Sequence, residues 1–163
     1  MTTVVTGASG FVGGVLVREL LKRGRPVRAV VRSNTSALRG LDVEIVRADI
    51  LDPTALRSAF KSATSIFHFA AAVSLGNSEK GRLFETNVLG TFMALEYCKI
   101  HKSKIIFLSS YLYGNADKLP TKENAEIKIQ NPYSLTKKTA EDICEFYSKK
   151  YGLNVVILRP SNA

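Results

Sequence analysis

Residues 1 to 24 read MTTVVTGASGFVGGVLVRELLKRG, and three kinds of local order follow one another within them. Thr2 to Thr6 is a short apolar, β-branched run. Glycines stand at 7, 10 and 13, and from Phe11 apolar residues return at helical spacing until Gly24 supplies a stop. The pattern predicts strand, glycine turn, helix. A strand that runs straight into a helix leaves unpaired amide N–H groups facing the turn, where a pyrophosphate can sit. Each glycine then has its own reason to lack a side chain: Gly7 for the tight turn, Gly10 for close approach of phosphates, Gly13 for close packing of helix on strand. A glycine triplet alone is a weak signal, because glycine ends many strands for conformational reasons only. Flanked by strand and helix in this order, it points to a dinucleotide site.

Outward from that stretch the chain alternates. Pro26 to Val31 reads as a second strand, with its proline tolerable at the first position. Arg32 to Gly40 is a polar loop, and Val43 to Val46 a third strand that runs out at Ala48-Asp49-Ile50. Asp52 caps a helix with Pro53 in its first turn, reaching about Phe60. Ser65 to Ala70 is a fourth strand, followed by the small residues Ala71 and Ala72. A long helix from Glu79 or Leu83 extends to about Ile100, weakened only at Gly90. Lys104 to Ser109 is a fifth strand, apolar enough for burial on both faces. Residues 111 to 130 form a loop, Asn131-Pro132 opens a helix to near Lys150, and Val155 to Leu158 is a sixth strand closing on Arg159-Pro160. Six strands separated by helices or comparable crossovers predict an α/β, doubly wound parallel sheet. At 163 residues this is a single domain, residues 1–163.

Composition narrows the function classes. The 23 basic and 14 acidic residues give a net charge of +9, which favours anionic ligands in general. The basic residues are dispersed, and no aromatic-interleaved basic stretch of the kind that stacks bases is present, so nucleic acid is not an expected partner. No apolar run reaches membrane-spanning length, and no leader pattern precedes the first strand, so a cytoplasmic location is expected. Cys98 and Cys144 stand singly and read as reduced core thiols. The two histidines, His68 and His101, start no ligand cluster, and no metal site is expected. His68, between an apolar run and Phe69, reads as a packed, hydrogen-bonded side chain. The Asn34-Thr35-Ser36 glycosylation pattern carries no weight without export.

Two further features carry chemistry. Tyr133 and Lys137 stand four apart on a predicted helix and so share a face. An ammonium close to a phenol favours the phenolate and lowers its pKa from about 10, which would make the tyrosine a competent proton donor or acceptor. Just past the second strand, where an acidic residue would accept from a ribose 2′-hydroxyl, the chain has Val31-Arg32-Ser33. A guanidinium only donates and can fork onto a 2′-phosphate, so NADP is favoured over NAD.

Taken in order, these motifs resemble the N-terminal, Rossmann half of an extended short-chain dehydrogenase/reductase, of the NAD-dependent epimerase/dehydratase kind. Within that superfamily the resemblance leans toward dihydroflavonol reductase-like and hydroxysteroid dehydrogenase-like members. Thr6-Gly7-Ala8-Ser9-Gly10-Phe11-Val12-Gly13 matches T-G-x-x-G-x-x-G, Ala48-Asp49-Ile50 the acidic segment at the adenine, and Phe69-Ala70-Ala71 the small-residue segment along the cofactor. Asn87-Val88-Leu89-Gly90-Thr91 resembles the asparagine segment of the long helix, and Phe107-Leu108-Ser109-Ser110 with Tyr113-Gly114 the serine loop. Tyr133-Ser134-Leu135-Thr136-Lys137 is Y-x-x-x-K, and Arg159-Pro160-Ser161-Asn162 passes the nicotinamide.

The resemblance implies six strands in order 3-2-1-4-5-6. Tyr133, Lys137 and Ser110 are the implied catalytic groups, with Ser109 in reserve because the serine loop is one residue shorter than the common epimerase pattern. Cofactor contacts are implied for Gly7, Ser9, Gly10, Phe11, Val12, Gly13, Arg32, Asp49, Ile50, Ala70, Ala71, Asn87, Ser109, Tyr133, Lys137, Pro160 and Ser161. The expected reaction is hydride transfer between NADP or NAD and a secondary alcohol or ketone, as in a dihydroflavonol reductase-like enzyme. The alternatives are a nucleotide-sugar epimerase or dehydratase and a non-catalytic binding module or fragment. The resemblance implies that family members continue into a C-terminal substrate-binding domain, which is expected to be absent from this chain. They pair through their two long helices, so a homodimer through Phe92, Leu95 and Phe146 is expected.

Overall fold

The computed structural model describes residues 2–73, 80–115 and 119–161. β1 (Thr2–Thr6) leads through the glycine turn into α1 (Phe11–Lys22). There follow β2 (Val27–Val31), a 3-10 turn at Ser36–Leu38, β3 (Glu44–Arg47), α2 (Pro53–Phe60) and β4 (Ala63–His68). Then come α3 (Lys80–Phe84), a π-helical turn at Glu85–Leu89, α4 (Gly90–His101), β5 (Lys104–Leu108), α5 (Pro132–Tyr151) and β6 (Val155–Leu158). The six strands are parallel and lie in the order β3-β2-β1-β4-β5-β6, the expected Rossmann order. The winding reverses between β1 and β4, and a crevice opens there beyond the C-terminal ends of the strands.

Both faces of the sheet are covered, which is why its strands read as nearly continuous apolar runs. Val5, Ala29 and Val31 pack on one side with Ala8, Val17 and Leu38. Val4, Val30, Ile66, Ile105 and Phe107 point the other way, into a larger core with Leu56, Phe60, Leu95, Cys98 and Cys144. The two cysteines are free and buried, and burial raises both thiols to about 12, so they pack as small apolar groups. Leu95 is fully buried in this core, which corrects its expected place on a dimer surface; Phe92 and Phe146 are exposed. Among the described residues no helix is long and apolar enough to cross a membrane.

Local chemistry sets the element ends. Asp52 accepts from the amides of Thr54 and Ala55 at 2.9 and 3.1 Å and starts α2. Asn131 and Ser134 form a reciprocal capping box that starts α5. β4 begins and ends two residues before its expected limits, Ser65 and Ala70. The Phe69 and Ala70 amides leave the ladder because the Thr6 hydroxyl accepts both, each at 3.1 Å. The single long helix expected to Ile100 is instead α3, the π turn and α4; its alternative start, Glu79, lies outside the described residues. Gly90 serves packing there, since a Cβ would stand 2.5 Å from Ile50 Cδ1.

Candidate active site

The turn after β1 is held open by its glycines. Gly7 sits at φ +66°, and a Cβ on it would lie 2.7 Å from the backbone of Phe69 and Ala70. A Cβ on Gly13 would stand 2.2 Å from the Gly7 carbonyl oxygen, so α1 can approach β1 only without a side chain there. The N-cap of α1 is Gly10, which brings no side chain to accept from the first-turn amides, and that turn carries no acidic residue. The positive end of α1 therefore faces the crevice. The cavity in front of it measures about 430 Å³, and Gly7, Ser9, Gly10, Arg32, Asp49, Ile50, Ala70 and Ala71 are among the residues lining it. Among the described residues Arg32 has no ion-pair or hydrogen-bond partner. Arg28, the second residue of β2, is occupied by Glu44 and by the carbonyls of Ala59 and Lys61.

Beyond β5 a second group of side chains gathers. Tyr133, in the first turn of α5, faces the Ser110 side chain; burial raises the phenol's pKa, and Ser110 partly offsets the rise. Lys137 is almost completely buried and donates from Nζ to the Leu108 carbonyl at 2.5 Å, with the Phe107 ring centroid 4.4 Å away. Burial pulls its pKa from 10.5 down to about 8. The expectation that Lys137 lowers the Tyr133 pKa is thereby corrected: the phenol moves up through desolvation, and Ser110 is the neighbour that opposes it.

Asn87 joins the two groups. Its π turn carries it inward, where Oδ1 accepts from the Ala72 amide at 2.8 Å and Nδ2 donates to the Ala72 carbonyl and to Thr136 Oγ1, each at 3.0 Å. Thr136 in turn donates to the Tyr133 carbonyl at 2.8 Å.

The order of these parts is that of one large group of proteins, and the sequence profile described as the NAD dependent epimerase/dehydratase family matches residues 3–163. The chain belongs to this family. It is 33% identical over 172 residues to a UDP-glucose 4-epimerase of Halalkalibacterium halodurans, covering 100% of this chain and 51% of that protein. It is 44% identical over 98 residues to sterol demethylase protein B of Methylococcus capsulatus, covering 59% and 30%. The crystal structure of UDP-glucose 4-epimerase from Brucella ovis in complex with NAD superposes with a TM-score of 0.88 at 31% identity, covering 97% of this chain and 51% of that one. The chain spans about half the length of these epimerases.

Within this family member the residues singled out by sequence divide into distinct places. Ser110, Tyr133 and Lys137 come together at the end of β5, with Ser109 beside them. Ser109 Oγ is buried without a hydrogen-bond partner, while its amide donates to the Leu158 carbonyl at 2.7 Å. That leaves Ser110 as the serine that acts on the Tyr133 phenol. Gly13 is buried beneath the turn, Val12 is half-buried, and Phe11 stands exposed at the start of α1. Ser161 lines a different cavity, of about 770 Å³, with Tyr111, Tyr113 and Arg159, so the structure does not bring it to the glycine cleft. Pro160 is half-buried next to it, and Asn162 lies outside the described residues.

Two residues that sequence reasoning missed complete the cleft. Arg82, in the last turn of α3, and Thr86, in the π turn, line it together with the glycines. Like Arg32, Arg82 has no partner among the described residues. The available signal was a lone arginine one turn before Asn87, which becomes informative only once the π turn is known.

Proposed function

We propose that these residues form the cofactor-binding and acid-base half of an NAD-dependent oxidoreductase that acts on a nucleotide sugar by epimerase or dehydratase chemistry. The observation that carries this reading is Tyr133 facing Ser110 beside a buried Lys137, on the same C-terminal edge of the sheet as the glycine cleft. A dinucleotide fits the residues present: a turn no Cβ could share, the uncapped N-terminus of α1, and two guanidinium groups with no partner among the described residues. When bound, that cofactor supplies reversible hydride transfer at its nicotinamide. Tyr133 takes the proton of a substrate hydroxyl in the oxidative direction and returns it in the reductive one. Ser110 donates to the same oxygen as its charge changes. Lys137 holds its ammonium at the base of this corner and orients the ribose.

Epimerase or dehydratase action replaces the dihydroflavonol reductase-like reading as the better supported of the two, because several relatives that match nearly the whole chain are named UDP-glucose 4-epimerases and another a dTDP-D-glucose 4,6-dehydratase. NAD is likewise the cofactor seen in the Brucella ovis epimerase. A preference for NADP rests on one observation, Arg32 at the cleft with no partner among the described residues and no acidic residue in its place. The partner is a second copy of the chain. Phe92, Phe146, Tyr147 and Tyr151 line an apolar groove between α4 and α5 that a two-fold interface would bury. The sugar is positioned by residues outside these 163, in keeping with relatives about twice as long.

The test is a calorimetric titration of the chain with NAD and NADP, beside assays for interconversion of UDP-glucose and UDP-galactose and for ketone reduction. Dinucleotide binding with little turnover by the chain alone is expected, because orientation of the reacting groups accounts for about 7 to 11 kcal/mol of such a barrier. Absence of dinucleotide binding, or efficient ketone reduction without action on a nucleotide sugar, would refute the proposal.

A further inference from the structure

His68 is fully buried at the end of β4, and the chemistry outlined above does not use it. Both ring nitrogens are nevertheless engaged. Nδ1 lies 3.0 Å from Thr6 Oγ1, and Nε2 lies 3.2 Å from Thr91 Oγ1. The protons on these groups can be assigned by elimination. The Thr91 hydroxyl donates to the Asn87 carbonyl at 2.7 Å, so towards His68 it can only accept, and Nε2 must carry the ring proton. The Thr6 oxygen accepts from the amides of Phe69 and Ala70, so its own proton is free for Nδ1. A proton on Nδ1 instead would leave the Thr6 hydroxyl proton and Nε2 without partners. The arrangement therefore requires a neutral imidazole. Lys137 faces it from α5, and burial together with that charge lowers the His68 pKa to about 3.

From Thr91 the chain of bonds continues without a gap. The Asn87 backbone receives Thr91, and the Asn87 side chain grips Ala72 through both of its polar atoms and donates to Thr136, which bonds the Tyr133 carbonyl. We propose that His68 is a positioning residue: a neutral, Nε2-protonated imidazole that couples the floor of the glycine cleft, at Phe69 to Ala72, to the first turn of the Tyr133 helix. Its work at the cleft end is to fix the Thr6 proton, so that both lone pairs of that oxygen face the Phe69 and Ala70 amides. At the other end its Nε2 proton fixes Thr91, and through it the π turn that holds Asn87. The proposal rests on the dinucleotide reading of the cleft.

The test uses the 163-residue chain. Long-range proton–nitrogen NMR reads the tautomer directly, and with only two histidines the His101→Gln variant completes the assignment. A neutral ring protonated at Nε2 is expected; a proton on Nδ1, or a charged ring at neutral pH, would overturn the proposal. His68→Phe keeps an aromatic ring and removes both bonds, and is expected to speed amide exchange at Phe69, Ala70 and Ala72 and to weaken NAD about tenfold. His68→Asn retains an acceptor near Nδ1 and should recover most of the Phe69 and Ala70 protection and of the affinity. Thr91→Val, nearly isosteric, breaks the relay on its far side and should loosen Ala72 and weaken NAD even if His68→Phe does not fold. Unchanged exchange and affinity in folded Thr91→Val would show that His68 only fills the core. Failure of the wild-type chain to bind either dinucleotide would instead overturn the cleft reading itself, a result visible before any variant is made.

Discussion

The Lys137 ammonium donates to the Leu108 carbonyl at 2.5 Å, and that bond holds a cation in a place where burial works against its charge. The folded pKa, about 8, lies below the ordinary 10.5. Between those values the unfolded chain keeps a proton that the folded protein has released, so the contribution of this lysine to stability rises as pH rises through that window. The full difference corresponds to roughly 3 kcal/mol at about 1.4 kcal/mol per pH unit. Thermal unfolding of wild type and Lys137→Met from pH 7 to 10.5 checks it. The wild type should gain on the variant with pH, and parallel curves would show that Lys137 titrates as it would in water.

Arg32 and Arg82 line one cleft from different elements, and neither has a partner among the described residues. Arg32→Ala should weaken NADP by roughly 1.5 to 3 kcal/mol, the range for a hydrogen bond to a charged group, and leave NAD nearly unchanged. Arg82→Ala should weaken both dinucleotides alike, because it stands with the glycines and the residues after β4 rather than at the end of β2. Parallel titrations decide, and equal losses of both cofactors in Arg32→Ala would remove the 2′-phosphate assignment.

Much of this was legible in the sequence because it is written locally. The glycine turn, the Asp52 cap and the Asn131-Pro132 start each depend on residues within a few positions of one another, and all three stand where expected. The doubly wound parallel sheet followed from alternation of strands and helices, and its strand order from the family resemblance. What stayed hidden depends on distance. The early end of β4 is set by a hydroxyl 63 residues away, since the Thr6 oxygen takes the Phe69 amide out of the ladder. The π turn has no compositional mark, and without it Arg82 and Thr86 read as ordinary helix surface. Leu95 sits on a helix apolar nearly all round, so periodicity could not say which face is buried. The rise in the Tyr133 pKa required knowing that Lys137 is committed to Leu108 and that the phenol is partly desolvated.

The α4 and α5 surface makes a third prediction. Phe92 is 42% exposed and Phe146 54%, and with Tyr147 and Tyr151 they form the apolar groove described above. If a second chain covers this groove, Phe146→Glu places a charge in the interface and should shift the molecule from dimer to monomer without loss of cofactor affinity. Sedimentation equilibrium at micromolar concentration measures it. A wild-type monomer would exclude the interface outright.

Arg159 supports the last prediction, because it ties three segments that surround the active corner. Its Nε and Nη2 donate to the two carboxylate oxygens of Glu141 at 2.8 and 2.7 Å, and Nη1 donates to the Tyr113 hydroxyl at 2.9 Å. Tyr113 itself donates to the Glu123 carbonyl at 3.0 Å. Glu141 is completely buried and lies one helical turn beyond Lys137 on α5. A buried carboxylate is tolerable only while its forked partner is present, so Arg159→Leu should cost about 3 to 5 kcal/mol in urea unfolding. Replacing both members by leucine removes the charge as well as its partner, and should return most of that loss. The double variant still loses the link from α5 to Tyr113 and the loop before it. Stability should therefore recover while amide exchange at Tyr113 and Lys128, whose amide donates to the Leu112 carbonyl, stays fast. A single variant as stable as wild type would mean that solvent reaches Glu141 and that the ion pair does not hold these segments together.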